Sequence, residues 1–279
     1  MYSQVMKFKI AVVQFETIPK EPTKNLKKVE NYIKKASRSG AEVIVFPEDF
    51  LTGPLAYQSD LIDFNHYYRD QLVNLAKNNQ IDVVGGSLME SSKTGVYNTS
   101  YYIDKKGKIK GKYNKINLWL AERSYLTHGN NICVFNTKFG KMGIIICWDL
   151  MFPEIFRKMV SRGVKIIYCV SWWGKYDTKI ALKHNKNAET KLVNVLCQSR
   201  AMENGIILIY CNAAGKIRNK SYYNELIGCS QIALPFIGTF KILDHNKEEM
   251  FIEEVDTKIL TDHETGYKIR SDIKNRTLN

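Results

Sequence analysis

The stretch that most constrains this chain is G-I-I-I-C-W-D-L-M, from Gly143 to Met151. It begins with an uninterrupted apolar, β-branched run, Gly143 to Ile146, which predicts a strand buried on both faces. The run stops at Cys147, and the residues from Pro153 to Val160 then carry apolar pairs at helical spacing. Cys147 is therefore expected at a strand-to-helix junction, with its sulfur accessible and the neighbouring backbone N–H groups free.

Such a junction offers the two things that an acyl-transfer nucleophile needs, which are access and donors for the oxyanion. The alternative is a packing role, because free cysteine is among the most buried residue types. A single motif does not decide between these interpretations of Cys147, so the rest of the chain must.

Strand and helix patterns alternate along the chain. Lys7 to Phe15 predicts a strand, Thr23 to Ser39 an amphipathic helix, and Ala41 to Pro47 a second buried strand. Beyond Cys147, Val164 to Val170 predicts another strand and Lys183 to Asn204 a long helix. The predicted buried stripe of that long helix consists of Leu192, Val195, Leu196 and Ala201. The alternation predicts a layered α/β protein with mixed sheets.

The chain shows no linker, internal repeat or low-complexity segment. We therefore expect a single domain over residues 1–279. From about Lys258 the sequence is highly charged. We expect a peripheral C-terminal arm there that either packs on a partner subunit or is disordered.

Charge and cysteine usage narrow the class of protein. Lys and Arg outnumber Asp and Glu by 41 to 28, a net charge of +13. The basic residues are scattered and no nucleic-acid-binding motif accompanies them, so we expect a solvated basic surface and no nucleic-acid partner.

The six cysteines show no metal-ligand spacing, which favours buried thiols of a reduced cytoplasmic protein and no metal. No apolar run approaches the ~20 residues that span a bilayer, so no membrane association is expected.

Three reactive residues share one position in the predicted fold. Glu48, Lys115 and Cys147 each stand at or just past the end of a predicted strand, where sites collect in α/β sheets. Together they could perform acyl transfer, with Glu48 as general base, Lys115 stabilising the thiolate and oxyanion, and Cys147 attacking the carbonyl carbon. Individually, Glu48 could instead cap the following loop, and Lys115 could be a surface lysine.

The motifs around these residues resemble a known family. V-I-V-F-P-E, K-Y-N-K-I-N-L-W and G-I-I-I-C-W-D-L-M-F-P-E, in this order and at these separations, are similar to the nitrilase superfamily of carbon–nitrogen hydrolases, from about Lys7 to Gly238. Supporting stretches are V-Y-N-T-S-Y, R-A-M-E-N and G-C-S-Q-I-A-L-P. The resemblance implies a four-layer αββα sandwich, a catalytic triad of Glu48, Lys115 and Cys147, and no metal or organic cofactor.

The resemblance also implies further site features and a partner. A second glutamate follows the lysine in the family, and Glu122 is the candidate here, although an ion pair with Arg123 is the alternative. The backbone N–H after the nucleophile, that of Trp148, would be an oxyanion donor. Family members usually dimerise through the helix after the nucleophile, here Pro153 to Ser161, together with the long later helix, so a homodimer or higher homo-oligomer is expected.

The residues after the nucleophile bear on the substrate. In the family, an Asp two residues after the cysteine, here Asp149, is typical of amidases and carbamoylases. Met151 stands where branches that act on carboxylates carry a clamping arginine, which favours an uncharged or aliphatic group. Trp172 and Trp173 could wall the pocket, or one of them could be core.

We therefore expect hydrolysis of a small linear amide by this chain. N-carbamoyl amine hydrolysis is the alternative, and a nitrilase activity or an inactive scaffold is a weaker one.

Overall fold

Two large β-sheets form the centre of the computed structural model, which describes residues 5–54, 59–218 and 223–275. The strands are β1 (Lys7–Gln14), β2 (Val43–Val45), β3 (Asp82–Val84), β4 (Leu88–Ser92), β5 (Gly95–Ile103), β6 (Ile109–Asn114), β7 (Cys133–Thr137), β8 (Gly140–Ile146), β9 (Ile166–Ser171), β10 (Ile207–Asn212), β11 (Lys216–Arg218), β12 (Tyr223–Glu225), β13 (Gln231–Leu234), β14 (Gly238–Ile242) and β15 (Glu249–Asp256). The helices are α1 (Pro22–Arg38), α2 (Tyr67–Asn79), α3 (Pro153–Ser161), α4 (Ala188–Asn204), α5 (Lys258–Tyr267) and α6 (Ile269–Asn275).

Both sheets mix parallel and antiparallel strands. The first has the order β15-β1-β2-β3-β5-β4, with β6 paired to β5, and the second has the order β14-β13-β10-β9-β8-β7. In the first sheet β1, β2 and β3 are parallel, and in the second β8, β9 and β10 are parallel. Parallel strands need both faces covered, which explains why β8 to β10 are so apolar.

Helices cover the outer face of each sheet. Val29 and Ile33 of α1 and Leu72 of α2 pack on the first sheet. Apolar residues of α3 and α4, including Phe156 and Val193, pack on the second. The inner faces of the two sheets meet in the same core cluster, which contains Val12, Val45, Ile144 and Ile146. The order helix, sheet, sheet, helix confirms the predicted four-layer αββα sandwich.

Helix α4 differs from its prediction in both start and phase. It begins at Ala188, after a 3₁₀ turn at Lys179–Lys183. The predicted stripe was wrong at Val195, which is 60% exposed, whereas Val193, Cys197 and Ala201 are fully buried. Apolar residues lie on more than one side of this helix, so periodicity alone does not select the sheet-facing side.

The charged segment from Lys258 folds as α5 and α6. Leu260 and His263 of α5 are buried, and Arg270 of α6 donates hydrogen bonds to the carbonyl oxygens of Gly205 and Val164. The segment therefore contacts its own chain at the end of α4. Over the described ranges, no helix combines the length and apolar character needed to cross a membrane.

Candidate active site

Three strand ends deliver Glu48, Lys115 and Cys147. Glu48 lies just beyond β2, whereas Lys115 and Cys147 directly follow β6 and β8. All three are buried, with exposed fractions of 2%, 1% and 8%. Cys147 retains the largest exposure of the three, as a group that must meet a substrate requires.

Lys115 is the cation at the centre of this cluster. Its Nζ lies 2.8 Å from Oε1 of Glu48 and 2.8 Å from both carboxylate oxygens of Glu122. Burial alone would lower the pKa of Lys115, but Glu122 and Glu48 raise it well above its ordinary value. The ammonium therefore stays charged between two carboxylates, which is how a buried charge is compensated.

Glu48 is held by donors on both of its oxygens. Oε1 accepts hydrogen bonds from Lys115 and from Nδ2 of Asn98, each at 2.8 Å, and Oε2 accepts one from the backbone N–H of Trp172 at 2.9 Å. Burial raises the pKa of Glu48, and Lys115 opposes that rise. A carboxylate of raised pKa in a fixed orientation has the properties of a general base.

Cys147 occupies a strained backbone position. Its φ is +47°, a left-handed conformation that is uncommon outside glycine. Burial and the neighbouring Glu48 raise the pKa of the thiol, whereas Lys115 lowers it. The thiol is therefore protonated at rest, and Glu48 is the neighbouring carboxylate whose charge acts on it.

Glu122 lies in the same cluster and not in the alternative ion pair. It is placed by a 3₁₀ turn at Ala121–Ser124, is 8% exposed, and its Oε2 accepts a hydrogen bond from the backbone N–H of Trp119 at 2.6 Å. Arg123 donates instead to the carbonyl oxygen of Leu118. Glu122 and Glu48 therefore hold the Lys115 ammonium together.

Trp148 and Met151 lie on the 3₁₀ turn Cys147–Met151 and are both half-buried. The ring of Trp148 contacts that of Trp119, with centroids 4.5 Å apart, and that of Trp173 at 5.7 Å. These rings form an aromatic wall immediately after Cys147. Such a wall offers an apolar surface to a substrate chain.

The two tryptophans after β9 have different surroundings. Trp172 is half-buried, and its backbone N–H holds Glu48. Trp173 is 3% exposed, with its Nε1 donating to Glu189 at 2.8 Å and its backbone N–H donating to Asn212. Trp173 is therefore a core residue that supports the wall from behind.

Sequence reasoning did not assign Asn98, although it belongs to this cluster. Its Nδ2 donates to Glu48 at 2.8 Å and approaches Glu122 at 3.4 Å, and its side chain is fully buried. The signal was an amide within V-Y-N-T-S-Y, an otherwise aromatic and small-residue strand. A buried amide needs partners, so an asparagine in such a strand was informative.

Asp149 supports the 3₁₀ turn at Cys147–Met151. It is fully buried, and its oxygens accept hydrogen bonds from the hydroxyl of Tyr113, the backbone N–H of Ile146, and both the backbone N–H and the side-chain amide of Asn117. Four donors leave no free acceptor for a substrate. Asp149 therefore fixes the backbone that presents Cys147.

No set of three or more His, Cys, Asp or Glu side chains that could hold a metal ion is found in the part of the chain that the structure describes.

Comparison with known proteins agrees with this architecture. A family model described as carbon–nitrogen hydrolase matches residues 9–262. The chain is 32% identical over 235 residues to a 2-oxoglutaramate amidase of Bacillus subtilis (strain 168), covering 83% of this chain and 84% of that protein. It is 28% identical over 255 residues to a nitrilase of Pyrococcus abyssi (strain GE5 / Orsay), covering 89% of each. Saccharomyces cerevisiae Nit3, a member of branch 10 of the nitrilase superfamily, superposes with a TM-score of 0.79 at 25% identity over 94% of each chain.

Proposed function

The chain belongs to the carbon–nitrogen hydrolase family and is a hydrolase that acts on amides, and from that premise we propose that it cleaves small linear amides through a cysteine acyl-enzyme. The observation that carries the proposal is the buried carboxylate of Glu48, which accepts a hydrogen bond of 2.8 Å from the Lys115 ammonium and, as a neighbouring charge, raises the pKa of the Cys147 thiol.

In the first half-reaction, Glu48 takes the thiol proton and the sulfur of Cys147 attacks the amide carbon. The oxyanion that forms is stabilised by Lys115 and by the backbone N–H of Trp148. The carbon–nitrogen bond then breaks, and the protonated Glu48 gives its proton to the departing nitrogen, which leaves as ammonia. The product of this half-reaction is a thioester on Cys147.

The second half-reaction returns the enzyme to its starting state. Glu48 deprotonates a water molecule, the hydroxide attacks the thioester carbon, and the carbon–sulfur bond breaks. The departing thiolate of Cys147 recovers the proton held by Glu48. The sum is amide plus water giving a carboxylic acid and ammonia. All proton transfers use residues of this chain, so the scheme involves no cofactor.

The substrate class follows from the wall beside the nucleophile. Trp148 and Met151 present aromatic and apolar surface, and Met151 offers no charge to a distal carboxylate. We therefore place an uncharged aliphatic amide first. The relative named 2-oxoglutaramate amidase makes a carboxylate-bearing amide the second candidate, and N-carbamoyl amines are the third.

The test is ammonia release from a matched panel of a short aliphatic amide, 2-oxoglutaramate, an N-carbamoyl amine and a nitrile, with the Cys147→Ala protein as blank. We expect the aliphatic amide to be the best substrate and Cys147→Ala to lower its rate by at least about 10³-fold with the fold intact. Carbon dioxide released along with ammonia would identify a carbamoyl amine hydrolase. A Cys147→Ala protein of near wild-type rate would overturn the proposal, whereas Cys133→Ala, at a buried thiol outside the cluster, is the control.

A homodimer is part of the proposal. Apolar side chains that the monomer leaves exposed lie on α4 and on the loop between β13 and β14: Val195 at 60%, Phe236 at 51% and Ile237 at 54%. Apolar surface gathered beside α4 is typical of a subunit interface. Light scattering of the purified protein would give the mass, and Val195→Glu is expected to shift it towards the monomer.

We also place the enzyme in the cytoplasm. All six cysteines are free and buried in the fold, as in proteins of reducing compartments. Fractionation of the native cell would check this, and recovery with a secreted fraction would contradict it.

A further inference from the structure

The arginine of the R-A-M-E-N motif, Arg200 on α4, contacts the turn that carries Cys147. Its side chain lies outside the catalytic cluster and the residue is 7% exposed. Its Nε donates a hydrogen bond of 3.2 Å to the carbonyl oxygen of Leu150, and its Nη2 donates one of 3.1 Å to that of Met151. These are the last two carbonyls of the 3₁₀ turn at Cys147–Met151. A single side chain therefore joins α4 to the end of this turn.

The local backbone explains why these two carbonyls need an outside donor. In a 3₁₀ turn a carbonyl oxygen accepts from the N–H three residues later. For Leu150 that residue is Pro153, which has no N–H. For Met151 the helical path is broken by Phe152, whose extended backbone (φ −104°, ψ 97°) separates the turn from α3. The carbonyls at the end of the turn must therefore be satisfied from elsewhere in the fold, and Arg200 supplies both donors.

Neighbouring side chains fix the orientation of the guanidinium. Nη1 of Arg200 donates a hydrogen bond of 2.9 Å to Oε1 of Glu203. The same oxygen accepts one of 3.3 Å from Nδ2 of Asn204, which is fully buried. The ring of Phe156 lies beneath the guanidinium, with its centroid 5.4 Å from Cζ. A planar fork that serves a carboxylate and two carbonyls at once cannot be reproduced by a lysine ammonium.

The turn that ends at Arg200 begins at a strained residue. Cys147 is its first residue and has a φ of +47°. Strain of this kind persists only where the surrounding structure holds the backbone firmly. Near the start of the turn, Asp149 accepts the backbone N–H of Ile146 at 3.0 Å. Asp149 and Arg200 therefore hold the turn from its two ends, the first with an acceptor and the second with donors.

Two reacting groups depend on the position of this turn. They are the sulfur of Cys147 and the backbone N–H of Trp148, the proposed oxyanion donor. The turn has five residues, so a shift of its last carbonyls reaches its first residue within less than two helical turns at about three residues each. A displacement of about 1 Å at a reacting group can cost about 100-fold in rate.

We propose that Arg200 is a positioning residue for amide hydrolysis, which fixes the sulfur of Cys147 and the N–H of Trp148 by holding the carbonyl oxygens of Leu150 and Met151. This inference rests on the proposed function, because it takes Cys147 as the nucleophile. Arg200 acts through the turn and contacts no substrate, so its loss falls mainly on kcat.

The first test is steady-state hydrolysis of propionamide by two variants of Arg200. Arg200→Met keeps an apolar contact with Phe156 but removes every donor, and we expect kcat to fall by about 100-fold with KM changed by less than about threefold. Arg200→Lys can still donate to one carbonyl, and we expect a loss of about tenfold.

Arg157→Met is the matched control. Arg157 lies on α3 and its Nη1 donates to the carbonyl oxygen of Glu203 at 2.7 Å, so its loss also disturbs the end of α4. Because this hydrogen bond goes to α4 and not to the turn, we expect kcat to stay within about twofold of the wild type, even where a thermal melt shows a lower melting temperature.

The second test is the rate at which iodoacetamide alkylates Cys147, followed by mass spectrometry. We expect alkylation to be at least about tenfold slower in Arg200→Met than in the wild type and in Arg157→Met, because the sulfur moves away from the Lys115 ammonium that favours the thiolate. This measurement needs no amide turnover. A wild-type protein that hydrolyses no amide would therefore reject the proposed function alone, and the alkylation rates would still test the role of Arg200.

The inference is overturned if Arg200→Met is alkylated at the wild-type rate, or if Arg157→Met loses as much kcat as Arg200→Met. Should Arg200→Met fail to fold, Glu203→Gln decides, at a side chain that is 35% exposed. That change weakens the hold on the guanidinium, and we expect alkylation about threefold slower. An alkylation rate equal to that of the wild type in Glu203→Gln would then overturn the inference.

Discussion

The backbone N–H of Trp172 donates a hydrogen bond of 2.9 Å to Oε2 of Glu48. This contact joins the two sheets, because Trp172 follows β9 of the second sheet and Glu48 follows β2 of the first. The orientation of Glu48, the proposed general base, therefore depends on the packing of one sheet on the other. A backbone donor has no rotamers to lose, so the orientation is already set before a substrate arrives.

The pH dependence of amide hydrolysis follows from the buried carboxylate. Glu48 accepts the thiol proton only when it is ionised, and burial raises its pKa above the ordinary 4.5. As pH falls, kcat/KM is therefore expected to decline with a midpoint above 4.5. Lys115, whose pKa is raised above 10.5, stays charged on the alkaline side. A pH–rate profile checks this, and full activity persisting at pH 4 would contradict it.

Asn98→Leu removes one of the donors to Glu48 without changing the volume greatly. An N–H donor stabilises the ionised carboxylate, so its loss raises the pKa of Glu48 further. We expect kcat to fall about 10- to 100-fold and the acid limb of the pH profile to move to higher pH, with KM changed less. Thr99→Val, on the opposite face of β5, is the matched control, and an unmoved acid limb in Asn98→Leu would refute the role.

Asp149→Asn tests the support of the nucleophile turn. The amide keeps one acceptor oxygen and turns a donor towards groups that themselves donate, such as the Tyr113 hydroxyl and the Ile146 N–H. We expect unfolding free energy to fall by about 2–3 kcal/mol, measured by urea denaturation. Asp262→Asn, which removes a surface ion pair with Lys258, is expected to change it by less than about 0.5 kcal/mol. If both variants lowered the unfolding free energy equally, Asp149 would not be the residue that supports this turn.

Met151→Arg tests how the wall beside the nucleophile selects substrates. An arginine there would present a planar fork to a distal carboxylate. Relative to a neutral aliphatic amide, kcat/KM for 2-oxoglutaramate is expected to rise at least tenfold, mainly through KM. Met159→Leu, a volume-conserving change in the core under α3, is the control. An unchanged ratio of the two substrates would show that position 151 does not meet the distal group.

Much of the candidate site could be predicted because its residues lie where strands end, and their catalytic roles stay predictions. The ends of predicted strands located Glu48, Lys115 and Cys147. In the structure these ends belong to β2 and β6 of the first sheet and to β8 of the second, and they meet where the two sheets pack together. Asn98 was not assigned because it lies in mid-strand and its partners come from other elements. The hydrogen bond from Trp172 to Glu48 could not be predicted either. Its donor is a backbone N–H, which every residue except proline has, so the amino-acid type gives no sign of it.

The phase of α4 shows a different limit of sequence reasoning. Val195 was expected inside because it continues an apolar pattern, yet it is 60% exposed. A helix that contacts a sheet on one side and offers apolar residues on another has no single amphipathic face. In contrast, β8 was predicted accurately, because a short β-branched run closed by a cysteine leaves few alternatives.

The left-handed backbone at Cys147 has a consequence for trapping substrates. Glycine adopts a positive φ without penalty, so Cys147→Gly would relieve strain of about 1 kcal/mol while removing the sulfur. The inactive Cys147→Gly protein would keep this turn with less backbone strain and would gain a small void beside the aromatic wall. An uncleaved amide could stay bound in that void long enough to be seen in a crystal.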